Sequence, residues 1–466
     1  MPLHRHPFID EVRQTLRLAG PVVAAQLAQI SMGFVDTVMV GRLGEEALAG
    51  VALGNTVFFF ALIVCLGVIQ AVGPMVSQAH GAGEREPIER SVRQGLWLGV
   101  VLTVPAVLIL WNIAPVLRAA GQPASAVAAA QGYLHAIVGG FLPALWFMAL
   151  RSFVEGLARP LPVTIITCLG VGLNVGANYV LMFGAGGLPA LGLEGTGWAS
   201  TIVLWFLFAM LALLVVRMRP FARYRIFRGL RTPDLAYFRA LVRIGWPIGV
   251  SSGIEAGLFM LTALMVGVLG TTALAAHQIA LQCAAFTFMV PLGVGIAGSV
   301  RVGQAVGSGR PDDARRAGYA SMLLAGLFMT GAAIVFVAVP ESIVRLYLDV
   351  EAPENADVAA LAVTLLGIAA LFQVFDGIQV AAMGALRGLK DTRGPMLIAF
   401  VTYWGIGLST GYTLGISWQW GAEGLWWGLV VGLATAALML SIRFRRRVVP
   451  RSTDEEAVPF SSSQGR

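Results

Sequence analysis

The sequence predicts an all-α integral membrane protein, with twelve transmembrane helices in two pseudo-two-fold-related six-helix lobes around a central cavity. Three observations carry that prediction: apolar runs of membrane-crossing length, basic residues gathered on one side, and an internal duplication.

Of the 466 residues, 57% are hydrophobic and only 12% are charged, about half the charged share of a soluble domain. The apolar residues fall in runs of roughly 20 or more, the length an α-helix needs to cross a bilayer. Six runs are expected at 15–40, 47–73, 93–115, 130–157, 161–183 and 193–216, and six more at 243–268, 273–300, 315–340, 357–385, 395–416 and 421–443. The first run is too long and too polar-lined for a signal peptide, and no cleavage-site pattern follows it.

Charge fixes the orientation. With both termini in the cytoplasm, all Lys and Arg residues except Arg42, Arg118 and Arg345 fall on inner segments, as the positive-inside rule requires. The densest clusters are Arg217 to Arg231 and Arg443 to Arg447, and the net charge of +7 follows from the same bias. Because these arginines flank spans rather than line a soluble fold, nucleic acid is not an expected partner. The three cysteines, Cys65, Cys168 and Cys283, lie inside apolar runs and read as packing residues. The expected division is an N-lobe at 1–216, a cytoplasmic linker at 217–242, a C-lobe at 243–443 and a disordered cytoplasmic tail at 444–466. A monomer is the default state.

The duplication appears at an offset of 226, without a gap from Pro21/Pro247 to Gly83/Gly309. MVGRLG at 39–44 returns as MVGVLG at 265–270, and QAHGAG at 78–83 returns as QAVGSG at 304–309. Six spans per half is an even number, so the repeats are parallel, the plan of an alternating-access transporter. The glycine-rich segments HGAGERE and VGSGRPD lack the GxxxxGK[ST] phosphate-cradle pattern. They read as tight turns between helices. With no nucleotide site, an ion gradient is the expected driving force.

The repeat also sorts the intramembrane acids. Asp36 pairs with Thr262, Glu255 with Gln29, and Asp376 falls near Ala144. The scaffold therefore folds with or without each acid, and a charge inside the bilayer costs at least a few kcal/mol, so it reads as functional. Helical spacing places Gln26, Gln29, Gly33 and Asp36 on one stripe, Ser251, Glu255, Phe259 and Thr262 on another, and Gln373, Asp376, Val380 and Met383 on a third. Asn174 and Asn178 stand one turn apart. The bland readings are interhelical hydrogen bonding for the asparagines and ion pairing for the acids. No arginine is expected at mid-membrane depth, which weighs against the second. Phe286, Phe288 and Met289 read as core by default, with a drug-lining role as the alternative. The spacing assigns no side to His277 and Gln278, and Gln278 is kept as a site candidate.

A buried carboxyl group holds a proton, a sodium ion or an organic cation, one at the expense of another. Such competition is what an antiporter requires, provided each ligand binds the two lobe arrangements differently.

The chain resembles the multidrug and toxic compound extrusion (MATE) family, in its NorM-type branch. The resemblance rests on Pro21 followed by FVDTVMVGRLG, EGLARPLP at 155–162, LNVGANYVL at 173–181, AAHQIALQ at 275–282, PLGVGIAGSVRVGQAVG at 291–307 and GALRGLKDTRGP at 384–395. It implies two lobes in a V, residence in a bacterial inner membrane, and efflux of cationic or amphipathic drugs against Na+ or H+ entry. It also implies cation or coupling roles for Glu255, Asp376 and Asp36, and a polar cavity with Asn174, Asn178, Thr196, Gln278 and Phe372. Na+ would sit at Glu255 and Asp376, or at Asp36, Asn174 and Asn178. Phe372 stands where some relatives have tyrosine. No cofactor beyond the coupling ion is expected, and no enzyme: the GxGD and HExxH motifs of intramembrane proteases do not occur. A flippase for lipid-linked precursors, on a similar two-lobe scaffold, is the alternative. It would favour a basic cavity, whereas the expected mid-membrane charges are acidic.

Overall fold

The structure, a computed structural model, describes residues 7–42, 45–184, 187, 189–230 and 233–448. Twelve helices among them are long and apolar enough to span a membrane: α1 (Pro7–Gly41), α2 (Gly50–Gly81), α3 (Arg85–Trp111), α4 (Ala124–Gly156), α5 (Leu161–Phe183), α6 (Gly192–Arg217), α7 (Leu235–Val268), α8 (Thr271–Gly307), α9 (Pro311–Ala338), α10 (Pro353–Gly388), α11 (Arg393–Ser417) and α12 (Gly421–Val448). The chain is a multi-pass membrane protein. All twelve expected spans are present. Most of the expected tail lies outside the described residues.

Several helices run past the apolar stretch that marks them. α3 begins eight residues before its expected start, in a polar turn laced by Arg85–Glu89, Arg93–Glu89 and Arg90–Glu86 ion pairs one turn apart. α7 likewise takes the last residues of the expected linker 217–242. Its N-terminus is capped by Asp234, whose carboxylate accepts from the Ala236 and Tyr237 amides. Hydropathy marks the membrane-crossing part of a helix and misses such polar extensions.

Two cores follow the duplication, with one exchange. The first is built from α2 to α6 and takes in Leu241 and Ile248 of α7. The second is built from α7 to α12 and takes in Leu18 and Ala19 of α1. The starting halves of α1 and α7 thus pack across onto the other six-helix set: α1 lies on α8, and α7 lies on α2.

The first and last described residues, Pro7 and Val448, lie at the arginine-rich end of the bundle, and there the two sets are joined by bonds that repeat the duplication. Gln78 donates to the Gly388 carbonyl at 2.8 Å, and its repeat partner Gln304 donates to the Gly156 carbonyl at 3.0 Å. Glu11 of α1 and Arg301 of α8 add a two-pronged ion pair at 2.8 Å. The glycine-rich segments are tight turns, as expected: Gly83 and Gly309 both take positive φ, 73° and 69°. Their neighbours have a second role. Gly81 lies against the Gln304 backbone and Gly307 against the Gln78 backbone, with no room for a Cβ at either. Gly307→Val is therefore expected to lower the thermal midpoint, since over-packing of this kind costs about 1–3 kcal/mol. Gly331→Ala, in open space within a helix, should not lower the midpoint in the same detergent melt.

The far half of the second set is held by small residues. Gly407, Gly411 and Gly415 of α11 face Gly424, Gly428 and Gly432 of α12, so close that a Cβ on any of the three α12 glycines would overlap the α11 backbone. Such small-residue contacts let helices associate where lipid removes the hydrophobic drive. α11 is π-wound over Phe400–Leu408 and Thr413–Ser417, and this stretch carries the fully buried Tyr403.

Candidate functional site

The acids fall into two centres, one in each six-helix set. In the first, α1 and α5 pack side by side, and Asn174 and Asn178 lie on the α5 face that meets α1. Both side-chain amides donate to one oxygen of Asp36, Oδ1, at 3.0 and 2.6 Å. Among the described residues no hydrogen bond reaches the other carboxylate oxygen. The amide oxygens of both asparagines, and the hydroxyl of Thr196 on α6, are buried without a partner. A buried polar atom left unpaired costs about 1–3 kcal/mol, so the Asp36 carboxylate with the two asparagine amide oxygens is a set that a proton donor or a hard cation would complete. Tyr133 of α4, buried and within electrostatic reach of Asp36, donates to Asn55 at 3.3 Å. Neither residue stands out in the sequence, where a tyrosine in an apolar run reads as core.

α1 is also positioned from outside itself. Pro21 sits inside the helix, and its ring removes one backbone donor. The Thr164 hydroxyl of α5 donates to the Pro21 carbonyl at 2.6 Å, tying the two helices at the proline.

In the second centre Asp376 is 4% exposed, and its Oδ1 lacks a hydrogen-bond partner. The Gln373 amide nitrogen and both polar atoms of Gln379 are likewise unpaired. The Tyr403 hydroxyl lies beside Gln379 without reaching hydrogen-bond geometry. Gln373 does accept from Thr287 of α8, at 3.0 Å. Glu255 of α7 is half-buried, within electrostatic reach of Asp376, Tyr403 and Arg387. Phe372 is buried, edge-on to Phe259 and Trp426 at centroid distances of 6.2 and 5.6 Å. His277 joins the same cluster and accepts from the Trp426 indole at 3.1 Å. Gln278 is exposed and hydrogen-bonds to neither acid.

Two expectations need correction. The stripe Gln26, Gln29, Gly33, Asp36 does not act as one surface. Gln26 and Gln29 accept from Arg151 of α4 at 2.7 and 3.2 Å, while Asp36 turns to α5. Nor is the interior free of arginine. Arg151 starts near the end of an apolar run, and its long side chain reaches inward to the middle of α1, with Glu155 one turn away at 2.7 Å. In the second set Arg387 donates to Gln70 at 3.1 Å and lies within electrostatic reach of Glu255. The repeat pair Gln29 and Glu255 thus each stands near an arginine, with a formal charge added in one copy.

The Arg151–Glu155 pair gives a direct stability test. Both side chains are nearly sealed from solvent, at 3% and 7% exposure. Arg151→Met strands the carboxylate, and breaking a buried pair from one side costs about 3–5 kcal/mol. The double change Arg151→Met with Glu155→Leu should recover most of that loss in a thermal melt.

The comparisons agree with this architecture. The MatE family profile matches twice, over residues 21–180 and 247–413. The two starts, at the paired prolines, reproduce the internal offset. The probable multidrug resistance protein NorM of Pseudomonas aeruginosa is 42% identical over 455 residues, covering 97% of this chain and 93% of that protein. The multidrug resistance protein NorM of Burkholderia vietnamiensis is 43% identical, covering 92% and 93%. Among solved structures, the eukaryotic MATE transporter AtDTX14 superposes with a TM-score of 0.84 at 21% identity, covering 95% of this chain and 98% of that one. A multidrug resistance MATE family transporter in its outward-facing conformation also gives 0.84, at 18% identity, with 94% and 96% covered. With a profile spanning more than half the residues and relatives above 40% identity over nearly the whole length, this chain belongs to the MatE family.

Proposed function

We propose that the protein is a secondary active multidrug efflux antiporter, exporting cationic and amphipathic organic compounds in exchange for Na+ or H+. The observation that carries this reading is the pair of buried carboxylate centres, Asp36 in one set and Glu255 with Asp376 in the other, each flanked by polar atoms lacking partners. A site of that kind holds either the coupling ion or a cationic substrate. Each then displaces the other, and exchange follows if the two lobe arrangements bind them with different affinity. The names of the relatives, multidrug resistance proteins, support the same class of substrate.

In this reading the lobes 1–216 and 243–443 move as units, with 217–242 joining them and both termini in the cytoplasm. The bonds at the arginine-rich end support a state closed towards the cytoplasm. A lipid-phosphate flippase would need unspent cations facing its cavity, whereas Arg151 is committed to Glu155, Gln26 and Gln29.

Ethidium accumulation in efflux-deficient bacteria tests the proposal. Cells expressing the protein should hold less dye than cells carrying an empty vector, and equal accumulation would overturn it.

A further inference from the structure

At the arginine-rich end of the second set lies a cavity of about 1010 Å³ outside both acid centres. One wall is apolar and includes Val306 of α8, Ile398 of α11, and Met439 and Ile442 of α12. The other carries Arg443, Arg446 and Arg447 from the last turns of α12. The frame of this wall is fixed. Arg443 makes a two-pronged bond to Asp391 at 2.8 and 3.0 Å and lies flat on Gly394, where a Cβ would collide with the guanidinium. Phe444, fully buried, packs against Gly318 of α9 with no room for a Cβ there either.

Charge is not balanced in this cavity. Asp391 already serves Arg443 and also meets Arg447 at 3.3 Å. Arg446 has no ion pair among the described residues. One carboxylate therefore answers three guanidinium groups beside an apolar surface, at the end of a membrane span. Free phosphate would satisfy the arginines and leave Met439 and Ile442, 39% and 42% exposed, facing the same space unused. A molecule carrying a phosphodiester on a hydrocarbon stem satisfies both walls.

We propose that this cavity is a binding site for an anionic phospholipid of the leaflet at the arginine-rich end. The phosphodiester sits between Arg446 and Arg447, whose planar donors suit phosphate oxygens, and the first methylenes of the acyl chains lie along Met439, Ile442 and Ile398. Basic pockets between spans on the cytoplasmic side are known to take anionic headgroups. What distinguishes this one from a general positive rim is the apolar wall and the unmatched Arg446. Arg445, next in sequence, lies outside the lining.

Native mass spectrometry of the full-length protein in detergent tests the site, with phosphatidylglycerol and phosphatidylcholine offered at equal concentration. The wild type should retain phosphatidylglycerol in clear preference. Arg446→Glu, which breaks no ion pair, should cut the retained lipid at least 5-fold. Ile442→Trp, which puts a bulky ring on the apolar wall and keeps every charge, should also cut the retained lipid. Arg445→Ala should leave retention unchanged. Equal retention of the two lipids, full retention in Arg446→Glu and Ile442→Trp, or an equal drop in Arg445→Ala would overturn the proposal. So would displacement of the lipid by millimolar inorganic phosphate, which would make the site one for the free anion. Asp454, Glu455 and Glu456 lie outside the described residues. A rise in retained lipid when they are changed to amides would make the chain's own acidic run the occupant, and would also overturn it.

Discussion

Cells expressing Asp36→Asn are expected to accumulate ethidium like cells without the transporter, with export reduced at least about 10-fold, equivalent to about 1.4 kcal/mol of lost differential binding. The substitution is nearly isosteric. An asparagine oxygen can still accept from Asn174 and Asn178, so the α1–α5 contact stays and the thermal midpoint should shift little. What disappears is the negative charge, and with it the ability to hold a proton, a sodium ion or an organic cation. Expression level and melting curve, recorded beside the dye assay, separate loss of charge from loss of fold. Export within twofold of wild type would remove Asp36 from the mechanism.

Asp376→Asn is expected to cost at least as much. Asp376 is the more deeply buried acid, on a helix whose Gln373 and Gln379 also hold unpaired atoms. Its charge acts on Glu255, so the two form one centre supplied by α7 and α10. Neutralising Asp376 leaves Glu255 facing Arg387 alone, an arrangement that favours a closed ion pair over an exchangeable cation. Glu255→Gln should give a smaller loss, because the coupling charge then remains on Asp376. Dye export by the two single variants and by the double variant checks this order. A double variant no worse than Asp376→Asn alone is the expected outcome for residues acting as a unit.

Much of this was legible in the sequence for physical reasons. A bilayer demands long apolar helices, so all twelve spans can be read from hydropathy. The ungapped offset of 226 located the paired turns, where Gly83 and Gly309 both adopt the left-handed conformation. Helical spacing placed Asn174 and Asn178 on one face, and that face meets Asp36. The cost of burying charge singled out Glu255 and Asp376.

The rest depended on contacts that periodicity does not encode. Arg151 sits near the polar end of its span by number, yet a side chain several ångströms long carries its charge to Gln26 and Gln29. Gln78 and Gln304 stand in segments that look like simple turns, and only the packing of α2 on α8 turns them into cross-bundle donors. The resemblance implies a place for Phe372 at the polar cavity, and only the packing shows its ring edge-on to Phe259 and Trp426. The polar extension of α7 needed the Asp234 cap to be seen as helix.

The central claim is exchange of a drug for a cation. Its most direct measurement is ethidium movement in proteoliposomes, with sodium and proton gradients imposed one at a time. At least one gradient should drive transport against the dye's own concentration difference, and Asp36→Asn and Asp376→Asn should abolish that response. Dye movement indifferent to both gradients would contradict antiport.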